Sequence, residues 1–289
     1  MKQWKWLLKI AVTAALLCWV GSGIDRGRFA AAVGGADRTL LLLAIIPYIF
    51  SRITAAFRLT LMLNVNGIPL SRITGLYLHW ISMFYGMFLP GGLGGDAYKL
   101  VRLRQYFPEQ KTILLTTTLL WDRIIGLTVL VLLAGLLVAT RLYDFFFIGG
   151  VAAIGIVSAV IFRIAAARFL HDIIPVLGRL LILSTLTQVA QIVCIVVLLK
   201  AVGASGHLVD YILIFLLSSI AAMFPLSIGG VGIRELVFMK GAQFLGTSEH
   251  IAVTASVLFD IIVTLTAITG AFLVLGKGVG EPVDEPAFK

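Results

Sequence analysis

Two short stretches carry the residue types that could handle a charged group within otherwise apolar sequence. The first, "FLPGGLGGDAYKLVRLRQ" at 88–105, sets Pro90, Gly91, Gly92, Gly94, Gly95 and Asp96 ahead of Lys99, Arg102 and Arg104. The second, "MFPLSIGGVGIRELVFM" at 223–239, sets Pro225, Ser227, Gly229, Gly230 and Gly232 ahead of Arg234 and Glu235. Proline lacks an N–H and ends the preceding helix, while glycine reaches unusual backbone conformations and lets another group approach the main chain closely. A helix that restarts after such a break offers N–H groups and partial positive charge at its N-terminus, which suit phosphate or carboxylate. The chemistry to expect is anion recognition, with Arg234 able to pair a phosphate directly and Asp96 capping a helix that restarts at Ala97. Taken singly, either cluster also reads as an ordinary loop between helices.

Five further ionisable residues lie deeper in apolar segments, where charge is costly and therefore informative. Arg52 and Arg58 fall in one segment, Asp122 and Arg123 in another, and Asp260 in a third. Arg52, Asp122, Arg123 and Asp260 are candidates for intramembrane coupling: proton transfer at the acids, or arginines held for an anionic headgroup. An interhelical salt bridge, for example Asp122 with Arg52, is the structural alternative. Arg58 stands near a segment end and is expected to snorkel to the interface. His79 is expected to be a packed or hydrogen-bonded histidine, and Gln188, Gln191, Thr185 and Thr187 to bond helices together.

The elements that must position these residues are set by composition. The 289 residues are 60% hydrophobic and 13% charged, with mean hydropathy +1.05, more apolar surface than a soluble core can hide. Apolar segments at 6–24, 40–62, 73–89, 113–139, 145–163, 180–202, 209–224 and 251–276 read as membrane helices, giving an all-α integral membrane protein. The basic start resembles a signal peptide, but its apolar run continues through Trp19 and Val20 without a clean cleavage site, so a retained first helix is expected. The net charge of +9 sits in short loops, where it orients a membrane protein and attracts anionic headgroups rather than nucleic acid. Cys18 and Cys194 lie in apolar segments without CxxC spacing or a histidine nearby, so neither a disulfide nor a metal site is expected.

The two glycine stretches are copies of one device. Gly91 and Gly229 are 138 residues apart (229 − 91), and the same offset carries Asp122 onto Asp260 (260 − 122). The first four apolar segments map onto the last four in this way, which implies an internal repeat. The expected units are 1–139, with a broken segment at 73–106, and 140–277, with a broken segment at 209–246, followed by a mobile tail at 278–289. With four full spans per half, more Lys and Arg would fall outside than inside, against the positive-inside rule. If 73–89 instead dips in, breaks at the glycines and returns, each half has three spans plus a re-entrant segment and the second half is inverted. Fourteen Lys and Arg, among them Arg72, Lys99, Arg104 and Arg179, then fall inside and seven outside. Inverted repeats with broken helices are a transporter architecture.

At these residues the chain resembles the lysylphosphatidylglycerol synthase transmembrane, or flippase-like, family. The likeness covers about 7–276 and rests on "FLPGGLGGDAYKLVRL", "LLWDRIIGL" and above all "P-x-S-x-GG-x-G-x-RE" at 225–235. It points to Pro90, Gly91, Gly92, Gly94, Gly95, Asp96, Asp122-Arg123, Pro225, Ser227, Gly229, Gly230, Gly232, Arg234 and Glu235. It departs at Asp122, where the family's element has a glutamate before arginine; the shorter acid reaches less far. Larger relatives, the multiple peptide resistance factors, add a soluble aminoacyl-transferase domain not contained in these 289 residues, so the resemblance implies the translocation side alone. The expected function is movement of a phosphate-bearing lipid, an anionic phospholipid or polyprenyl-phosphate-linked sugar, between leaflets of the cell inner membrane, without cofactor or catalytic residue. No GxxxxGK[ST] loop for ATP is present. An accessory subunit for an envelope glycosyltransferase, with or without self-association, is the alternative; a lipid-modifying enzyme fits less well, because the acids are scattered and no nucleophile has a base beside it.

Overall fold

A computed structural model describes residues 34–88, 92–142, 171–223 and 232–275. The expected spans at 6–24 and 145–163 and the tail at 278–289 lie outside these residues. The described elements are α1 (Arg38–Val65), α2 (Arg72–Gly86), α3 (Leu93–Tyr106), α4 (Thr112–Leu142), a 3₁₀ turn (His171–Val176), α5 (Leu177–Ala201), α6 (Leu208–Met223), α7 (Ile233–Leu245) and α8 (Glu249–Leu275), with no strand among them. α1, α4, α5 with its preceding turn, and α8 are long and apolar enough to cross a membrane, at mean hydropathy 2.0 to 2.3. α2 and α6 have 15 and 16 residues, about 22–24 Å at helical rise, against a hydrocarbon thickness of about 30 Å. The chain is thus a helical membrane protein, and its outward faces agree: Phe244, Ile113, Leu42 and Ile73 are each more than two-thirds exposed.

Local sequence explains where the elements begin and turn. Asp37 caps α1 by accepting from the backbone N–H of Thr39 (2.8 Å) and Leu40 (3.2 Å), and Ser71 caps α2 through Thr74 N (3.1 Å). Between them Asn64 grips Leu70 from both sides, donating to its carbonyl at 3.1 Å and accepting from its N–H at 2.6 Å. Such caps satisfy backbone donors that a helix end leaves open.

α1 and α5 form the central pair and run antiparallel. The start of α1 meets the end of α5, where Asp37 N donates to Ala201 O (2.9 Å). Further along, the Thr54 and Thr187 hydroxyls bond at 2.8 Å, and Arg58 reaches Ser184. α2 and α3 fold back on each other: Gly95 packs against the Ser82 carbonyl and Gly86 against Gly92 and Gly95, with Tyr85 stacked on Tyr98 at 4.7 Å. The open end of this hairpin closes where Gln110 Nε2 donates to Gly67 O (3.1 Å). α6 and α7 fold back likewise, Gly241 against Ile214 and Arg234 against Ser218 and Ser219. Their open end closes where Ser248 N donates to the Tyr211 hydroxyl (3.1 Å). The α2–α3 hairpin therefore opens beside the end of α1, and the α6–α7 hairpin beside the end of α5. Because α1 and α5 are antiparallel, the two hairpins open at opposite ends of the bundle.

α8 ties the hairpins together. It meets α2 at Gly270, where a Cβ would sit 2.6 Å from Trp80 O, and through the Trp80 Nε1 bond to the Thr269 hydroxyl (2.8 Å). It meets α7 at Arg234 and Asp260. The largest apolar core gathers Tyr48, Leu198, Phe215, Phe238 and Phe259.

Candidate functional site

Among the described residues, Asp122, Asp96 and Asp260 each pair with an arginine of another helix, and Arg52 stands outside these pairs. The deepest pair joins α1 to α4. Arg58 Nε and Nη2 donate to the two carboxylate oxygens of Asp122 at 2.8 and 3.1 Å, and Nη1 donates to Ser184 Oγ at 2.8 Å. Arg58 and Asp122 are 7% and 8% exposed. Gly126 makes room for the guanidinium, since a Cβ there would lie 3.2 Å from Nη1. Two expectations are corrected here. Arg58 does not snorkel, because a planar fork with two carboxylate acceptors and a hydroxyl is satisfied inside; and the partner of Asp122 is Arg58, not Arg52.

The second pair joins the first hairpin to α4. Arg123 Nε donates to Asp96 Oδ2, and Lys99 Nζ donates to Asp96 Oδ1 at 3.3 Å. The expectation that Asp96 caps a helix at Ala97 is also corrected. α3 starts at Leu93, with Gly92 in the left-handed region (φ 70°) at the cap position and no side-chain cap bond. Asp96 falls one turn inside, where its carboxylate still faces the positive helix end and is shared by two cations, Lys99 and Arg123. Lys99 is buried beside the half-buried Asp96. Gly94 and Gly95 are buried, and the substituent missing at Gly95 is what lets α3 approach α2: a Cβ would meet Ser82 O at 2.5 Å.

The third pair joins the second hairpin to α8. Arg234 Nε donates to Asp260 Oδ1 (2.9 Å), and Nη1 reaches Ser219 (3.2 Å) and Ser218 (3.3 Å). Its guanidinium lies over the Phe259 ring at 4.9 Å and near Phe215 at 5.9 Å, a favourable placement for a cation on an aromatic face. Glu235 Oε2 accepts from Gly232 N (2.6 Å) and so caps α7. Under the offset of 138, Asp96 corresponds to Arg234 (234 − 96), so each hairpin is pinned to a long helix by an ion pair of opposite polarity. Pro90, Gly91, Pro225, Ser227, Gly229 and Gly230 lie outside the described residues.

Arg52 is different. It lies 14 residues into the 28-residue α1, near the middle of a membrane-spanning helix. Its Nε donates to Ser51 Oγ (3.1 Å) and its guanidinium sits over the Tyr48 ring at 5.0 Å. Among the described residues no carboxylate pairs with it. Tyr48 in turn meets Phe259 edge-on at 5.7 Å, so an aromatic chain runs from beneath Arg52 to beneath Arg234. His79 is 9% exposed, with neither ring nitrogen hydrogen-bonded among the described residues. The buried Oδ2 of Asp260 also has no partner there. Buried polar atoms in this state normally have water or a ligand on them.

Among the described residues, then, Arg52 has no carboxylate partner, and the His79 ring nitrogens and Asp260 Oδ2 have no hydrogen-bond partner. Among the described residues no group of three His, Cys, Asp or Glu side chains is placed to hold a metal ion. The sequence pointed to Arg52, Asp96, Arg123, Arg234 and Asp260, but not to Ser184, Gly126, Tyr48 or Phe259. Nothing in residue type distinguishes these from ordinary membrane-helix residues; only the partner geometry does. Compared with known proteins, a family model described as the lysylphosphatidylglycerol synthase TM region matches residues 6–270. No curated protein and no solved structure matches.

Proposed function

The chain belongs to the lysylphosphatidylglycerol synthase TM region family, and from that premise we propose that it moves a phosphate-bearing lipid between the leaflets of the cell inner membrane. The observation that carries the proposal is Arg52. A guanidinium at mid-span without a carboxylate is expensive to maintain, and the other interior arginines, Arg58, Arg123 and Arg234, each hold an acid. An anionic headgroup arriving at Arg52 would supply the missing counter-charge and lower its own cost of entering low dielectric.

The opposed hairpins support an inverted pair of units, each with a re-entrant segment, and helix starts agree with the offset: α1 to α5 is 139 residues (177 − 38) and α4 to α8 is 137 (249 − 112). In this reading the Asp96–Arg123 and Arg234–Asp260 pairs brace the hairpins, the Arg58–Asp122 pair braces α1 against α4, and Arg52 receives the cargo. Arg123 and Arg234 then act as supports rather than as first contacts for phosphate. The chain breaks no covalent bond in this scheme.

The test is reconstitution of the purified chain in liposomes carrying a trace of headgroup-labelled phosphatidylglycerol, with leaflet exchange read by chemical quenching of the outer leaflet. The proposal expects faster exchange than in protein-free liposomes and little acceleration of a labelled lipid lacking phosphate. Exchange no faster than in empty liposomes would favour the accessory-subunit reading.

A further inference from the structure

The three acids that pair with an arginine of another helix use their oxygens differently. Asp122 accepts on both, from Arg58 Nε and Nη2. Asp96 accepts on both, from Lys99 and Arg123. Asp260 accepts on Oδ1, from Arg234 Nε at 2.9 Å, while its Oδ2 is buried with no donor among the described residues. A proton on Asp122 or Asp96 would compete with a hydrogen bond that a cation already makes there. A proton on Asp260 Oδ2 would disturb no such bond, and the hydroxyl so formed would need an acceptor.

We propose that Asp260 is a coupling acid: it takes one proton from water on Oδ2 as one phosphate-bearing headgroup enters, and returns that proton to water as the headgroup leaves. The new O–H donates to a phosphate oxygen, and no other covalent bond changes. The proposal rests on the translocation reading above and adds its driving force. Arg234 and Asp260 cancel while no anion is present. An anion beside them would set two negative charges against one guanidinium in a low dielectric, where unpaired charge is expensive; one proton restores the balance. Arg234 does not depend on the carboxylate for its place. Its Nη1 reaches Ser219 (3.2 Å) and Ser218 (3.3 Å), and its guanidinium lies over the Phe259 ring at 4.9 Å. Its charge then serves the phosphate as a second contact after Arg52, along the wall that Phe259 and Tyr48 form between the two arginines.

The charged and titratable groups around Asp260 come from the helices packed on α8. α7 brings Arg234 and Glu235, whose carboxylate is engaged at Gly232 N (2.6 Å). α1 brings Tyr48 and Arg52, and α5 brings Cys194, in the same core as Phe259. α2 brings His79 and Tyr85, which flank its contact with Gly270, about 15 Å further along α8 at helical rise.

The test places a trace of labelled phosphatidylglycerol in phosphatidylcholine liposomes holding the purified chain, with a pH difference across the membrane and the potential clamped at zero. One proton per lipid should concentrate the label in the leaflet facing the alkaline side, by up to about tenfold per pH unit and beyond protein-free liposomes. Asp260→Asn keeps an acceptor for Arg234 but takes no proton; it should exchange the label and leave it equal in both leaflets. Wild-type exchange that leaves the label equal would overturn the coupling and spare the translocation reading. No exchange at all would remove that reading, and a second measurement, which needs no transport, then decides the coupling. In weakly buffered detergent, dihexanoyl phosphatidylglycerol should draw up to one proton per bound lipid into the wild type and into Arg58→Met/Asp122→Leu, and none into Asp260→Asn. No uptake by the wild type, or equal uptake by Asp260→Asn, would overturn the assignment.

Discussion

Replacing Asp122 by leucine should destabilise the bundle by about 3–5 kcal/mol, the usual cost of leaving one member of a buried ion pair alone. The figure follows from the geometry. Arg58 is 7% exposed and gives two of its three described hydrogen bonds to Asp122, leaving only Ser184. Arg58→Met should cost a similar amount, because it strands the carboxylate. The double variant, Arg58→Met/Asp122→Leu, should recover to near wild type, since apolar residues of similar volume replace a buried pair at little or no cost. The coupling between the two sites, read as a double-mutant cycle, should therefore reach several kcal/mol. Unfolding of the purified chain in a fixed detergent micelle, followed by tryptophan fluorescence, gives the four stabilities. Additive single effects, or an Asp122→Leu variant within about 1 kcal/mol of wild type, would refute the claim that this pair braces α1 against α4. In liposomes, the double variant should still exchange lipid, which separates a brace from a coupling acid.

Further outcomes follow from the close helix contacts and the hairpins. Gly95→Ala and Gly270→Ala should each cost about 1–3 kcal/mol as overpacking, because the new Cβ would meet backbone carbonyl oxygens at 2.5 and 2.6 Å. Gly178→Ala, with nothing within 4 Å, should be neutral or stabilising by up to about 1 kcal/mol; the same unfolding assay compares all three. Thr187→Val removes the hydroxyl bond between α1 and α5 and should cost about 0.6 kcal/mol, at most ~1.7. Single cysteines at the exposed positions Gln105 and Lys240 should react with an impermeant thiol reagent from opposite sides of sealed vesicles. Reaction from one side alone would remove the inverted arrangement.

Much of the architecture was legible because lipid restricts it. Runs of about 20 apolar residues at 40–62, 113–139, 180–202 and 251–276 announce α1, α4, α5 and α8, and the short segments at 73–89 and 209–224 announce α2 and α6. Pro90 and Pro225 with their glycines marked the places where each short helix stops. Side-chain partners were far less legible. Arg52 and Arg58 are six residues apart on one helix, and sequence cannot say that Arg58 turns toward α4 while Arg52 turns onto Tyr48. Asp96 looked like a cap because it precedes a helical run, yet Gly94 and Gly95 are helical too, since a close neighbouring helix stabilises glycines that propensity alone disfavours. The switched polarity of the two hairpin pairs was within reach, because the offset that joins Gly91 to Gly229 also joins Asp96 to Arg234.

The most direct test of the account is the effect of Arg52→Gln on leaflet exchange of phosphatidylglycerol in liposomes, with thermal stability measured on the same preparation. A hydrogen bond to a charged group contributes about 1.5–3 kcal/mol, so losing it from the rate-limiting step should slow exchange roughly ten- to a hundredfold. Arg52→Lys, which keeps the charge but not the planar fork, should fall between. A stable Arg52→Gln protein that exchanges lipid at the wild-type rate would contradict the assignment of Arg52 as the anion's receiving group.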